Sequence, residues 1–241
     1  MPINEIYSLT KPDSLSSRIT RHQRVKMFQA FMENMAPQSA HTILDVGATS
    51  DRSYDHSNYF EAWYPNPASV TATGIDDASF LEELFPGMRF VRADGRKLPF
   101  EDRSFDYVHS SAVLEHVGSR AQQSDFLKEL WRVARRGVFL TTPNRWFPVE
   151  LHSVLMLVHW LPPHMFRAIL RRLGHHDLSL EENLNLLTQR DLKDLAVRSA
   201  LKNLAIRHVS LFGWPTNLLL IARKDWSPRV CAGRDQRDSR L

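Results

Sequence analysis

A lone cysteine, Cys231, stands among 241 residues. No internal disulfide can form, and no Cys/His spacing resembles a zinc site. Long apolar runs are missing too. The most apolar stretch, from Val149 to Leu161, is interrupted by His152 and His159 and is too short to span a bilayer. The opening MPINEIYSLTKPDSLSSR has no apolar core of the kind a secretory signal needs. These absences predict a cytoplasmic protein, with contact at the inner face of the membrane left open. A strong charge excess is lacking as well: the net charge is +4, which with no aromatic-basic stripe predicts no nucleic-acid partner. Glycine is scarce, at nine residues, and no G-x-G-x-x-G follows any strand-like segment, which excludes the usual dinucleotide fingerprint.

What is present is ordinary globular material, 43% hydrophobic and 24% charged, with no internal repeat. Apolar positions at helical spacing (Ile19, Val25, Phe28, Phe31, Met35) predict an opening helix over about 14–36. TILDV (42–46), SVTATGI (69–75), RFVRA (89–93), FDYVHS (105–110) and GVFLTT (137–142) read as buried strands. Between the last two, Gln122 to Arg135 carries Phe126, Leu127, Leu130, Trp131 and Ala134 at helical spacing. A further helix is expected over 187–201 with Thr188 as N-cap. IRHVSLF (206–212) and TNLLLIAR (216–223) read as a hairpin turning at Gly-Trp-Pro, with Trp214 and Pro215 as turn residues. Strands alternating with helices require crossovers. The expected fold is therefore α/β: one domain with a Rossmann-like, doubly wound, seven-stranded, mostly parallel sheet and an antiparallel C-terminal hairpin strand. Residues 1–37 form a helical extension, 38–225 the main domain with an insertion at about 144–186, and 226–241 a mobile tail.

Acidic residues recur after successive strands. The first ends in Asp45-Val46-Gly47, the second in Gly74-Ile75-Asp76, and the third in Ala93-Asp94-Gly95, followed by LPFEDRSFDYVHSSAVLEHV. This order resembles the class I S-adenosylmethionine-dependent methyltransferases (the type 11 group, similar to ubiquinone-biosynthesis methyltransferases). In a doubly wound sheet, ligands sit outside the carboxyl ends of the strands where the connection order switches. An acid after the second strand can accept both ribose hydroxyls, which places Asp76. The resemblance implies an adenine contact for Asp94 and a methionine-end role for Asp45, and it extends the S-adenosylmethionine set to Asp77, Gly95 and Ser110. Gly47 lets the backbone approach the cofactor. The family's loop carries further glycines where this chain has Ala48-Thr49-Ser50, and β-branched Thr49 resists positive φ. Thr49 could instead donate to the methionine carboxylate. The aromatic stretch that follows (Tyr54, Tyr59, Phe60, Trp63, Tyr64) reads as a short helix packed into the core, with a wall near the cofactor as the alternative.

Methyl transfer is an in-line displacement, in which the protein positions the acceptor and, for an oxygen acceptor, removes its proton. Glu115 and His116 in LEHV are the candidate acid–base pair, and His152 is a second candidate base. No further acid precedes them in Ser110-Ser111-Ala112, so no metal is expected. Asn144, Arg145 and Trp146 are candidate acceptor-binding residues at the end of the fifth strand. In the insertion, Leu151, Val154, Leu155, Val158 and Leu161 form one apolar stripe. Met165, Phe166, Ile169, Leu170 and Leu173 form another beside Arg167, Arg171 and Arg172. Peripheral membrane contact through 151–173, an acceptor lid and plain packing all fit this pattern. The resulting expectation is methylation of a small-molecule or lipid-like acceptor, with oxygen favoured. The alternative is a non-catalytic cofactor-binding or scaffold protein on a degenerate methyltransferase fold.

Overall fold

The computed structural model describes residues 15–52, 57–150 and 152–224. Tyr54, Leu151, Cys231 and the expected tail at 226–241 lie outside them.

Seven strands form one sheet: β1 (Ile43–Val46), β2 (Val70–Gly74), β3 (Arg89–Arg92), β4 (Phe105–Ser111), β5 (Ala134–Pro143), β6 (Leu204–Leu211) and β7 (Trp214–Arg223). Their order is β3-β2-β1-β4-β5-β7-β6. The first five are parallel, and β7 pairs antiparallel with both β5 and β6. The fold is the expected seven-stranded, mostly parallel Rossmann-like sheet with an antiparallel C-terminal hairpin. From β3 the chain crosses to the other side of β1 to make β4, so a crevice opens where the carboxyl ends of β1 and β4 diverge from that of β2.

The strand alternation sorts the apolar side chains onto the two faces of the sheet. Leu44, Val46, Val108, Val138, Leu140, Leu218 and Leu220 pack on one side against Phe126, Leu127 and Leu130 of α4 (Arg120–Val133) and Leu192 and Leu195 of α6 (Gln189–Arg198). On the other side, Ile43, Ala72, Tyr107, Phe139, Leu219 and Ile221 meet Met27, Phe31 and Met35 of α1 (Leu15–Met35). The same layer holds Tyr59, Phe60 and Tyr64 from α2 (Tyr59–Trp63) and its C-cap, and Leu81 from α3 (Phe80–Leu84). The aromatic stretch is therefore core, as its helical reading expected, although Tyr59 and Phe60 also reach the cavity described below.

The predicted N-cap at Thr188 forms, and a second one forms at Ser119. Ser119 and Gln122 make a capping box on α4, and Thr188 and Asp191 make one on α6. Two expectations fail. The hairpin turns at Phe212 and Gly213, both at positive φ (50° and 80°), while Trp214 and Pro215 already belong to β7. A two-residue turn of this hand matches the strand twist. Likewise, the apolar stripe over 152–161 builds no α-helix, only a 3-10 turn at Val158–Trp160. Glu150's carboxylate captures the backbone N–H groups of His152 and Ser153, a local bond that competes with helix formation. Val154 and Leu157 take positive φ, and the segment folds back so that Val149 bridges Met156. Helix resumes only after Pro162, as α5 (Pro163–Arg172). Phe166 and Leu170 of α5 pack on Leu178, Leu184 and Leu186, giving the segment between β5 and α6 a small core of its own.

The helix α1 roofs one side of the sheet through Phe31, whose ring is fully buried. It meets Phe60, His109 and Phe139 edge-on, at 5.1, 5.5 and 5.6 Å between centroids. Phe31→Ala is expected to cost about 3–5 kcal/mol. The check is the denaturant midpoint, which should fall with no change in slope.

Candidate active site

One cavity of about 630 Å³ opens at the carboxyl ends of the strands. Gly47, Asp76, Asp94 and Gly95 line one flank, from the ends of β1, β2 and β3. His109, Ser111, His116 and His152 line the other, and Thr20, Gln23 and Arg24 of α1 close it from above.

The glycine-poor loop is explained by the backbone. Only Gly47 takes a positive φ there (+117°), and a Cβ on it would fall 2.1 Å from Val113 Cγ2. Ala48 and Thr49 need no such conformation, so the missing glycines are not missed. Both Gly47 and Ala48 donate to the Thr73 carbonyl, at 2.8 and 2.9 Å. Thr49 borders the cavity, but its hydroxyl accepts from the Asp51 N–H, and Asn58 clamps its main chain with bonds of 2.8 and 2.9 Å. Asp94 is held by Arg96 in a bidentate pair, whose hydrogen bonds keep its carboxyl below the usual range. Two candidates lie elsewhere. Asp77 is fully exposed and caps Ser79 N–H at 2.9 Å. Ser110 sits on the opposite face of β4 and donates to the Val46 carbonyl at 2.7 Å, so Ser111 takes the cavity position.

The acid–base candidates do converge. Glu115 lies in a 3-10 turn after β4, fully buried behind the cavity wall. Its Oε2 accepts from Thr142 Oγ1 at 2.8 Å, and burial raises its pKa. His116 follows it into the cavity. His116 Nδ1 is 2.7 Å from the Asn183 carbonyl, which can only accept, so Nδ1 carries the proton. His116 Nε2 then accepts from His152 Nε2 at 3.1 Å. His152 Nδ1 donates to Glu150 Oε1 at 2.7 Å, which makes His152 an imidazolium. The electrostatics agree. Burial and the neighbouring His152 charge push His116 down to about 3. Burial alone would lower His152, but the Glu150 bond and charge carry it above its ordinary value. Burial opposes ionisation of Glu150, yet His152 and Ser153 together hold it at about 2. The expectation of no metal rested on the absent acid before LEHV. The fold supplies His152 there instead, and Glu115, His116 and His152 offer three donor atoms within 4.8 Å of one another. That donor set is complete only once His152 has given up the Nε2 proton that it directs at His116.

The proposed acceptor residues are not in the cavity. β5 runs to Pro143, so Asn144 is used as a stitch, donating to Pro215 O at 3.0 Å and accepting from Trp146 N–H. Arg145 straps the insertion through the His159 and Leu161 carbonyls. Trp146 packs near Trp160 at the half-exposed rim. Phe147, Asn183 and Asn217 line the cavity instead.

Sequence reasoning missed a second buried cluster. Asp45 on β1 is register-paired with His109 on β4 and hydrogen-bonded to its Nδ1. Tyr59 Oη lies 3.3 Å from His109 Nε2, and Glu61 shares a side-chain hydrogen bond with Asp45. Burial pushes Asp45 up to about 7 and Glu61 well above its ordinary value, and pushes His109 down to about 3.

Residues 44–142 match the family described as a methyltransferase domain. Over those residues the chain is similar to a methyltransferase domain. It is 31% identical over 145 residues to demethylmenaquinone methyltransferase of Roseiflexus sp. (strain RS-1), covering 56% of this chain and 56% of that one. It is 38% identical over 82 residues to phthiotriol/phenolphthiotriol dimycocerosates methyltransferase 1 of Mycobacterium ulcerans (strain Agy99), 31% of this chain and 28% of that one. The chain thus spans little more than half the length of the first of these relatives, and less of the second. In fold it resembles magnesium protoporphyrin IX methyltransferase from Synechocystis PCC 6803, whose crystal structure holds bound SAH: TM-score 0.55 and 15% identity over 92% of both chains.

The Glu150–His152 pair makes stability pH-dependent in two directions. Glu150 has its pKa lowered in the fold, so its contribution is in place above the ordinary 4.5 and is lost as pH falls towards 2. His152 is raised, so its contribution is in place below the ordinary 6.5 and fades as pH climbs through the folded value. The His152 ring resonances are expected to titrate above 6.5 in the native chain and at lower pH in Glu150→Gln. An unchanged midpoint in that variant would remove Glu150 from this role.

Proposed function

We propose that this protein transfers the methyl group of S-adenosylmethionine to an oxygen of a small-molecule or lipid-like acceptor. The observation that carries the reading is the continuity of the cavity, which places Asp76 and Asp94 in the same chamber as the His116–His152 pair. Asp76 would accept the ribose hydroxyls, and Asp94 and Gly95 would border the adenine. A Cβ on Gly95 would lie 2.4 Å from Phe126, so the floor beneath the adenine is already tightly packed. The cofactor supplies the activated methyl and the leaving group.

The chain's own contribution is to the acceptor. In the free chain His116 Nε2 accepts from His152, so the acceptor's hydroxyl would enter between the two rings and give its proton to His116 Nε2. The N–H of His152 would then donate to the oxygen as it gains negative charge. Glu150 keeps His152 charged for that purpose, and Asn183 fixes the His116 tautomer. Glu115 stays behind the wall as a positioning residue. The apolar side of the acceptor class is supported by Phe147, Pro143 and Leu211 on the cavity wall, and by the quinone and lipid names of the two sequence relatives.

Among the described residues no helix is long and apolar enough to cross a membrane. Contact with an anionic lipid surface is the supplementary part of this reading. It is supported by the exposed Met165, Arg171, Arg172 and Leu173 of α5 and its C-cap.

Titration calorimetry with S-adenosylmethionine and its demethylated product tests the first half. Asp76→Ala is expected to weaken both by about 10–100-fold, the loss of hydrogen bonds to a charged group. Tight binding that survives this change would argue against the assignment. His116→Ala is expected to lower kcat with a phenolic acceptor by at least about 100-fold while leaving cofactor affinity unchanged. Cofactor binding with no turnover on any acceptor, in the native chain, would instead favour a scaffold protein.

A further inference from the structure

Glu61 is a carboxyl group that the methyl transfer outlined above does not use. It lies on α2, is 2% exposed, and borders the cavity. Its Oε1 atom is buried with no hydrogen-bond partner. An orphaned buried carboxyl oxygen is costly, and native structures keep one where something else completes it. Among the described residues, Asp45 on β1 and His109 on β4 act on Glu61, with Tyr59 on its own helix and Arg24 on α1 beside them. Three of these are acidic or held neutral by burial. Arg24 is the cation, and its guanidinium carbon stands 5.8 Å from the Tyr59 ring centroid.

The strand order says which end of an adenosyl ligand comes here. Asp94, Asp76 and Asp45 follow β3, β2 and β1 in that spatial order, and His109 lies on β4 beyond them. A ligand whose adenine and ribose lie against Asp94 and Asp76 extends its other end past β1, towards Asp45, Glu61 and His109. That end of S-adenosylmethionine is an amino acid, with one ammonium and one carboxylate.

We propose that Glu61, backed by Asp45, binds the α-ammonium of the cofactor. This deepens the S-adenosylmethionine reading and rests on it. Before the ligand arrives, two carboxyl groups in hydrogen-bond contact inside a buried pocket share one proton, because like charges this close do not both ionise. The high pKa of Glu61 and the value of about 7 at Asp45 fit that state. An incoming ammonium takes the place of that proton: Glu61 ionises, the proton passes to solvent, and the N–H donors of the ligand meet Oε1. Binding of the amino-acid end is thereby linked to release of a proton. A ligand lacking that end displaces none.

The test compares S-adenosylhomocysteine with 5′-methylthioadenosine, which keeps the adenine, ribose and thioether and lacks the amino acid. Titration calorimetry of the full chain is run in phosphate and in Tris, so that the difference in heat reads the protons released. In the native chain, S-adenosylhomocysteine is expected to release close to one proton near neutral pH and 5′-methylthioadenosine none. Glu61→Gln is expected to weaken S-adenosylhomocysteine by about 10–100-fold, abolish the proton release, and leave 5′-methylthioadenosine within about twofold. Retained affinity for both ligands in the variant overturns the role of Glu61 while leaving the cofactor reading intact. Equal losses for both ligands also overturn it, because they mark a misshapen pocket rather than a lost ammonium contact. Failure of the native chain to bind either ligand removes the S-adenosylmethionine reading, and this inference with it.

Discussion

The position of β1 in the middle of the parallel sheet governs the rest of this molecule. All four of its residues are buried, and it pairs with β2 on one side and β4 on the other. Because successive connections leave it in opposite directions, its carboxyl end cannot be covered by either crossover, and a crevice remains. The same pairing sets Asp45 opposite His109 and brings Gly47 under the Thr73 carbonyl. A polar cluster at that place would be expensive in a protein interior unless its donors and acceptors were matched. Most of them are matched here, and the exception belongs to Glu61, a residue that borders the cavity.

The two histidine sites solve the burial problem in different ways. At His152 an anion is supplied: Glu150 accepts four bonds from two successive residues, so the charge on the ring has a fixed counterpart. At His109 no cation is tolerated. The ring is stacked on Phe60 at 4.2 Å and crossed by Phe31, and it stays neutral between a tyrosine hydroxyl and a carboxyl. One imidazole is thereby prepared to stabilise negative charge, while the other only transmits a hydrogen bond. The aromatic stretch after β1 decides this difference, since α2 supplies both Tyr59 and Phe60.

Much of this could be read from the chain alone, and the unread part has definite causes. The strands announced themselves through β-branched and apolar runs, and the residues closing β1, β2 and β3 could be placed because strand ends in such a sheet share one edge. Ser110 was misassigned by one residue. In a strand, that step turns a side chain from one face to the other, and nothing in FDYVHSS marks which parity faces the crevice. His109 was overlooked because its importance comes from standing opposite Asp45, and parallel register carries no local signature. Asn144 and Arg145 looked like ligands because they follow a strand, but β5 extends far enough that they serve as stitches to Pro215 and to the insertion. Glu150 and His152 are two residues apart in a segment whose apolar spacing read as helix. The carboxylate's capture of backbone N–H groups overrode that spacing and produced the loop that delivers His152 to His116.

The roof over the cavity is held by the opposite end of the chain. Gln23 and Lys26 of α1 both donate to the Ser210 carbonyl on β6, and Thr216 on β7 donates to Gln23. These ties span 184 to 193 residues of sequence, and loops of that size form late because closing them costs the most chain entropy. Releasing the β6–β7 hairpin would remove these ties from α1 and leave its hold on the sheet to Met27, Phe31 and Met35. Closure of the cavity from above is thus coupled to the docking of a hairpin that is remote in sequence from the helix it anchors.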